Sequence, residues 1–291
     1  MQHNYQKSTL LSHGHGGNIR SFAALCGRSP DDIHDLSANI NPLGFPEGLR
    51  LAIRRHTARI IHYPDPDCVQ FVDAVARRYG LPPNRVVAGN GASDILYACL
   101  RALTAERAVV PVPSYVDYQR AAEVAGMEVV HVPLHEHTGF EPDLTRIAER
   151  LQPNDVAVLG HPNNPTGRLV PTAALKRFIR AHPSNVFLID ESFLEFTNRP
   201  NADSLLHFEQ DNLLVLRSMT KFYALPGLRL GFAAASPAMT RRIKEQQTPW
   251  SVNSLAQAAG VHVLQDTQFA VETRRKVRAW RRQLVDDFKS R

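Results

Sequence analysis

One lysine stands out by its neighbours. Lys221 lies among hydroxyl and aromatic side chains in the segment Arg217–Gly231, and Arg229 follows eight residues later. A lysine that is held near other cations and away from bulk water has a lowered pKa, and its amine can attack a carbonyl. This segment therefore indicates an amine nucleophile, although a solvated surface lysine stays open as the alternative.

A carboxylate follows a short apolar run elsewhere in the chain. Asp190 and Glu191 come directly after Val186–Ile189. A carboxylate in that position is partly removed from water and needs a cation or a hydrogen-bond donor. The pattern favours a functional acid, and the alternatives are a salt bridge or a helix cap.

Two loop strings also follow apolar runs. Gly89–Asp94 has glycines that let the backbone approach a ligand, and free N–H groups at a helix start favour a phosphate. His161–Gly167 is a rigid Asn-Pro turn that holds a side-chain amide at its edge. A tight capped turn is the alternative for the first string, and a plain turn is the alternative for the second.

The elements that must position these strings alternate between short apolar runs and amphipathic stretches. Runs that are apolar almost throughout are typical of strands buried on both faces of a parallel sheet, so we predict an α/β protein with a mostly parallel central sheet flanked by helices. Ligands bind such sheets at the carboxyl ends of the strands. The predicted strands are Arg85–Ala88, Ala108–Val112, Glu128–Val132, Val156–Leu159, Val186–Ile189, Leu213–Leu216 and Leu228–Ala233, and the helices between them include Ser93–Leu103, Val116–Ala125, Leu144–Leu151 and Thr172–His182.

Taken together, the strings resemble the fold-type I pyridoxal 5′-phosphate (PLP) enzymes of the aminotransferase class I/II family. The resemblance rests on Asn-Asn-Pro-Thr-Gly, Asp-Glu and Ser-x-x-Lys…Gly-Leu-Arg in the family's order, and it covers roughly residues 37–231. It implies the PLP-dependent transferase fold and PLP as cofactor, with Lys221 as the catalytic residue that forms the Schiff base. The other cofactor contacts it implies are Asp190 to the pyridine nitrogen, Asn164 to the phenolic oxygen, Tyr115 on the ring face, and Ala92, Ser93, Ser218 and Arg229 on the phosphate.

The same resemblance implies a homodimer with shared active sites, in which Tyr63 reaches the cofactor phosphate of the neighbouring subunit. It also implies substrate loops near the N-terminus. His15 and Asn18 would lie near a substrate phosphate, and the backbone of Asn39 and Ile40 near the substrate carboxylate.

Two branches of the family compete. One decarboxylates O-phospho-L-threonine to (R)-1-amino-2-propanol O-2-phosphate in cobalamin biosynthesis, and the other transaminates histidinol phosphate. The segments His15–Arg20, Asp35–Gly44 and Gln247–Asn253 resemble the decarboxylase branch. Phe193 also resembles that branch, because transaminases of the family carry a tyrosine there that donates to the phenolic oxygen. We therefore expect a carbon–carbon lyase, with the aminotransferase as the alternative.

The resemblance also divides the chain. We expect an N-terminal segment with small-domain elements and substrate loops over residues 1–45, a PLP-binding large domain over 46–265, and the start of a small C-terminal domain over 266–291. Family members continue into that domain, which supplies an arginine for the substrate carboxylate, and no motif here matches it. We expect either a truncated form or an altered function, and the apolar stripe of Val277, Trp280, Leu284 and Phe288 on the last predicted helix fits a missing domain.

Composition narrows the function classes. The net charge of +6 favours anionic ligands, and the three cysteines, without a C-x-x-C pair, favour reduced thiols over a disulfide framework or a zinc knuckle. No apolar run reaches membrane-spanning length and the first residues lack a secretory signal, so we expect a cytoplasmic protein that binds neither membrane nor metal. Two rivals stay open, namely a PLP-binding remnant without activity and a nucleic-acid binder that uses the basic residues between Arg274 and Arg282.

Overall fold

The computed structural model describes residues 16–290 in two compact units. The smaller unit ends at Ile40, and the larger begins at Asn41. Helix α1, Ile19–Cys26, belongs to the smaller unit, where the Asn18 side chain caps it by accepting from the Ser21 N–H at 3.3 Å. The Gly17 N–H donates to Ser37 Oγ at 2.9 Å, so the two loop segments on either side of α1 lie together within this unit.

A seven-stranded sheet forms the centre of the larger unit. Its strands follow the order β1-β7-β6-β5-β4-β2-β3. Every neighbouring pair is parallel except those of β7, which runs antiparallel to both β1 and β6. The prediction of a mostly parallel α/β sheet is confirmed. The strands are β1 Val86–Gly89, β2 Arg107–Val112, β3 Glu128–Pro133, β4 Val156–Gly160, β5 Val186–Asp190, β6 Leu213–Ser218 and β7 Gly231–Ala234.

Helices cover both faces of this sheet. Alternate residues of a strand point to opposite faces, so Ala157 and Leu159 join one core while Val156 and Val158 join the other. The first core contains residues of α2 (Leu49–His56), α3 (Val69–Tyr79), α6 (Leu144–Arg150), α7 (Thr172–Ala181) and α10 (Ser254–Gln265). The second core contains residues of α4 (Ala92–Arg101), α5 (Val116–Val124) and α9 (Pro237–Glu245). The short helix α8 spans Pro200–Asp203.

The predicted bounds agree with the structure within a residue or two except at the last strand. That strand was predicted from Leu228 but begins at Gly231. Pro226–Leu228 forms a 3-10 turn, and Arg229 has a left-handed backbone with φ of 57°. A left-handed residue cannot lie in a regular strand, so pairing starts two residues after it.

The last helix, α11, spans Thr267–Lys289. Its first half is packed on the large unit, with Ala270 and Thr273 fully buried. Its second half carries an exposed apolar stripe that includes Trp280, Leu284 and Phe288, the last of which is 70% exposed. No helix within residues 16–290 has the length and apolar character needed to cross a membrane.

Candidate active site

Apart from Tyr63, the predicted site residues of the larger unit gather at one edge of the sheet. The carboxyl ends of β1, β5 and β6 carry Gly89, Asp190 and Ser218, and β7 starts at this edge because it runs the other way. Gly231 pairs with Gly89 on one side and with Ser218 on the other. The sheet therefore brings together segments that are far apart in the sequence, at the edge where such sheets bind ligands.

Asp190 is buried at the end of β5, and both of its carboxylate oxygens accept hydrogen bonds. The Tyr118 hydroxyl donates to Oδ2 at 2.8 Å, and the Ser192 backbone N–H donates to Oδ1 at 2.8 Å. Burial raises the pKa of Asp190, while the two donors oppose that rise. The carboxylate is thus fixed in direction and suited to a cationic partner.

Glu191, the next residue, has a different role. It is fully buried and pairs with Arg217, whose Nη2 lies 2.7 Å from Glu191 Oε2. Arg217 also binds Glu195 at 3.0 Å, and Arg274 of α11 binds Glu195 at 3.2 Å. The salt-bridge alternative considered for the Asp-Glu pair therefore holds for Glu191, while Asp190 is oriented by neutral donors.

Lys221 is half-buried after β6. Burial lowers the pKa of its amine, the nearby Arg229 guanidinium lowers it further, and Asp190 acts in the opposite direction. An amine with a lowered pKa has a larger unprotonated fraction near neutral pH, which is the form that attacks a carbonyl. The environment that the sequence predicted for this lysine is the one that the structure describes.

An anion cradle forms where α4 begins. The first N–H groups of a helix have no acceptor within the helix and attract a negative group. Gly91 precedes Ala92 with φ of 87°, and a Cβ at Gly91 would collide with the guanidinium of Arg229. Arg229 thus lies against this helix start and adds a positive charge to it.

Four further residues that were predicted to contact the cofactor lie at the same edge. The Tyr115 hydroxyl donates to Asp117 at 2.9 Å and lies 3.3 Å from Ser93 Oγ, and burial raises the pKa of Tyr115 to about 12. Ser218 Oγ lies 2.7 Å from Thr220 Oγ1, which fixes the turn before Lys221. Asn164 follows β4 and is half-buried.

The remaining predicted residues make contacts of their own. Tyr63 is 80% exposed and stacks on Trp250 with ring centroids 4.7 Å apart. Asn18, Asn39 and Ile40 belong to the smaller unit, where Asn18 caps α1 and the Ile40 N–H bonds the Ala38 carbonyl at 2.9 Å. His15 lies outside the described residues. The substrate contacts assigned to these residues stay predictions.

Sequence reasoning missed two residues of the site. Tyr118 lies three positions after Tyr115, the residue that precedes α5, and the two ring centroids are 5.5 Å apart, so this spacing could have indicated it. Asn41 lies within the Asn39–Gly44 string, but its own contacts with the lysine segment depend on tertiary structure. No local pattern marks it.

These features define the PLP-dependent aminotransferase fold. A helix-start cradle beside an arginine suits a phosphate, a buried carboxylate suits a protonated ring nitrogen, and a lysine of lowered pKa suits a cofactor aldehyde. The residues present thus fit PLP, the cofactor of this class of enzyme. The chain belongs to the aminotransferase class I and II family, whose sequence profile matches residues 31–291.

Comparison with known proteins agrees with this family assignment. The threonine-phosphate decarboxylase of Salmonella typhimurium is 40% identical over 91% of this chain and 73% of its own length. The adenosylcobalamin biosynthesis bifunctional protein CobDQ of Leptospira interrogans is 34% identical over 94% of this chain, which spans only 32% of that protein. The crystal structure of the histidinol-phosphate aminotransferase from Clostridium acetobutylicum superposes with a TM-score of 0.81 at 29% identity, covering 87% of this chain and 76% of that one.

Proposed function

We propose that the chain is a PLP-dependent carbon–carbon lyase of the cytoplasm. Its reaction is the decarboxylation of O-phospho-L-threonine to (R)-1-amino-2-propanol O-2-phosphate, a step of cobalamin biosynthesis. The observation that carries the PLP chemistry is the presence of Lys221 and Asp190 at one sheet edge, the first with a lowered pKa and the second held by Tyr118. The 40% identity with the Salmonella decarboxylase favours this reaction.

Bound PLP supplies an electron-withdrawing ring that takes up the electron pair of a bond broken at the substrate Cα. The chain's own residues bind the cofactor and move the proton. The Lys221 amine binds the cofactor aldehyde and later donates a proton to Cα. Asp190 keeps the ring nitrogen protonated, because its carboxylate is buried and stabilises a positive charge placed beside it.

Arg229, Ser218, Ser93 and the N–H of Ala92 would hold the cofactor phosphate. Asn164 would donate to the phenolic oxygen, and Tyr115 would contact the ring. The segments with His15, Asn18, Asn39 and Ile40 would orient the substrate by binding its phosphate and carboxylate. Binding the phosphate far from the reacting carbon would determine which bond at Cα breaks.

Phe193 supports decarboxylation over amino transfer. It packs beside Phe196, with centroids 6.5 Å apart, and has no hydroxyl to donate. The phenolic oxygen of bound cofactor then lacks one donor, which changes its proton affinity. The test is CO₂ release from O-phospho-L-threonine by the PLP-loaded chain, measured beside a Lys221→Ala variant. Release that needs Lys221 supports the proposal, and no release from a PLP-loaded chain contradicts it.

One alternative is favoured by a specific observation. The TM-score of 0.81 with the Clostridium histidinol-phosphate aminotransferase supports an aminotransferase of that type on the same fold. Keto-acid-dependent amino transfer from histidinol phosphate, without CO₂ release from phosphothreonine, would establish this alternative.

We also propose a homodimer with shared sites. Ile60, Ile61, Tyr63 and Trp250 form an exposed apolar surface, and Ile61 and Tyr63 are each 80% exposed. An exposed apolar cluster of this kind is typical of a subunit interface. Sedimentation of Ile61→Glu should show a monomer, while Val124→Glu, which changes an exposed valine on α5, should keep the dimer.

A further inference from the structure

Asn41 is a buried asparagine that contacts the lysine segment twice. Its side chain is 3% exposed. The backbone N–H of Asn41 donates to the Lys221 carbonyl at 3.0 Å, and its side-chain amide donates to the Phe222 carbonyl at 2.8 Å. One residue therefore holds two successive carbonyls, those of the lysine and of the residue after it.

The other polar groups of Asn41 are also bonded. The amide nitrogen donates to Thr273 Oγ1 of α11 at 3.1 Å, and Oδ1 accepts from the Leu43 N–H at 3.0 Å. Its carbonyl accepts from the Gly44 N–H at 3.1 Å. A side-chain amide offers two donors and an acceptor, so no apolar residue can replace this set.

The segment that Asn41 holds is irregular. Lys221 follows the end of β6 at Ser218, and Ala224 has a left-handed backbone with φ of 51°. Outside a strand or helix, few backbone hydrogen bonds fix the peptide planes on each side of a residue. On the N-terminal side of Lys221, the Thr220 carbonyl accepts from the Leu225 N–H at 3.1 Å. On the C-terminal side, the Lys221 carbonyl accepts from the Asn41 N–H and, at 3.4 Å, from the Ala224 N–H, while the Asn41 amide fixes the next peptide plane at the Phe222 carbonyl. Asn41 therefore fixes the backbone that follows Lys221 and hence the direction in which the lysine side chain leaves it.

We propose that Asn41 is a positioning residue for Lys221, which it keeps directed into the site by holding the two carbonyls, with Thr273 of α11 as its anchor. This inference rests on the proposed role of Lys221 as the cofactor lysine. Asn41 acts through Lys221 and takes no part in bonding to the substrate.

The test compares Asn41→Ala with a matched control, Asn185→Ala. Asn185 is equally buried at 4% exposure, and its amide also donates to a backbone carbonyl, that of Gln152, but it lies before β5 at the opposite edge of the sheet. Both variants should lose stability to a similar extent. Thr273→Val, which removes only the anchor hydroxyl, is the third variant.

The deciding measurement needs no catalysis. The chain without cofactor is acetylated over a range of pH, and the modification of Lys221 is followed by mass spectrometry. Asn41→Ala should move the midpoint of Lys221 labelling upward by about half a pH unit or more, since a loosened lysine becomes better solvated. Asn185→Ala should leave the midpoint unchanged, and Thr273→Val should move it in the same direction by a smaller amount. Added PLP should give a Lys221-dependent visible band at a rate about tenfold lower in Asn41→Ala than in the parent chain.

An unchanged midpoint and an unchanged rate of band formation in Asn41→Ala would overturn the inference, as would equal shifts in Asn41→Ala and Asn185→Ala. If Asn41→Ala does not fold, Thr273→Val decides instead, because it removes the anchor of the Asn41 amide without adding a charge near Lys221. The absence of any Lys221-dependent band in the parent chain would instead contradict the proposed function.

Discussion

The Tyr118 hydroxyl donates a hydrogen bond of 2.8 Å to Oδ2 of Asp190. The Ser192 N–H holds the other oxygen, so the carboxylate cannot rotate toward a different partner. Because burial raises the pKa of Asp190, its charge depends on these donors and on any cation placed beside it.

Replacing Tyr118 by Phe should weaken PLP binding. The change removes the donor that directs Asp190 Oδ2, so the carboxylate is less well placed for the cofactor. If the lost hydrogen bond of roughly 1–3 kcal/mol is felt in binding, the affinity falls by about 5- to 150-fold. Titration with PLP followed by visible absorbance measures the effect. Tyr79→Phe is the control, because the half-buried Tyr79 also donates to a carboxylate, Glu195 at 3.1 Å, but belongs to the Arg217 network. Equal losses of affinity in the two variants would contradict a specific role for Tyr118.

Asp190→Asn should stabilise the cofactor-free chain at high pH. The folded pKa is raised above the ordinary value of 3.8, so the stabilising contribution of Asp190 is present below that value and is lost as the pH rises through the folded pKa. The asparagine does not titrate and avoids this loss.

Urea unfolding without cofactor, at about pH 4 and about pH 8, measures this difference. Asp155→Asn is the control, because the buried Asp155 lies 3.4 Å from Arg107 and loses an ion pair. It should be less stable than the parent chain near pH 8. A stability of Asp190→Asn below that of the parent chain near pH 8 would show that Asp190 has a cationic partner in the free protein.

Gly91→Ala should weaken PLP binding by about tenfold or more, because the new Cβ displaces the Arg229 guanidinium from the helix start. Gly126→Ala is the matched control. Gly126 has a similar φ of 81°, but nothing lies within 4 Å of the position of a Cβ there. Both variants carry the cost of a side chain at positive φ, about 1–3 kcal/mol, and only Gly91→Ala should lose cofactor affinity. Equal affinities in the two variants would contradict the cradle.

Phe193→Tyr should lower the pH midpoint of the visible band of bound PLP. A hydroxyl that donates to the phenolic oxygen stabilises its anion, so the proton leaves at lower pH. A spectroscopic pH titration measures the midpoint. Phe196→Tyr, which places a hydroxyl on the partner ring, is the control and should leave the midpoint where it is. A midpoint that rises or stays constant in Phe193→Tyr would show that residue 193 does not face the phenolic oxygen.

The sequence was sufficient for the parts of the site that depend on local pattern. Apolar runs marked β5 and β6, and parallel strands end at the same edge, so Asp190 and Lys221 could be placed together before the structure. The start of β7 could not be predicted from the sequence. It depends on the left-handed backbone of Arg229, and no turn residue such as glycine marks that position.

Contacts between residues far apart in the sequence could not be predicted either. Asn41 and Phe222 are far apart in the sequence, and only the folded chain brings them together. The pairing of Arg217 with Glu191 and Glu195 has the same origin, since charged residues in apolar surroundings can be paired in several ways until the strands are registered. Tyr118 could have been predicted from its spacing, because it lies three residues after Tyr115.

The most direct test of the account is the visible spectrum of the purified chain with PLP, recorded before and after adding O-phospho-L-threonine while CO₂ is collected. The account predicts a band that is absent in Lys221→Ala, and CO₂ release that also needs Lys221. A band that does not depend on Lys221, or no band at all, would contradict the assignment of Lys221 as the residue that binds the cofactor.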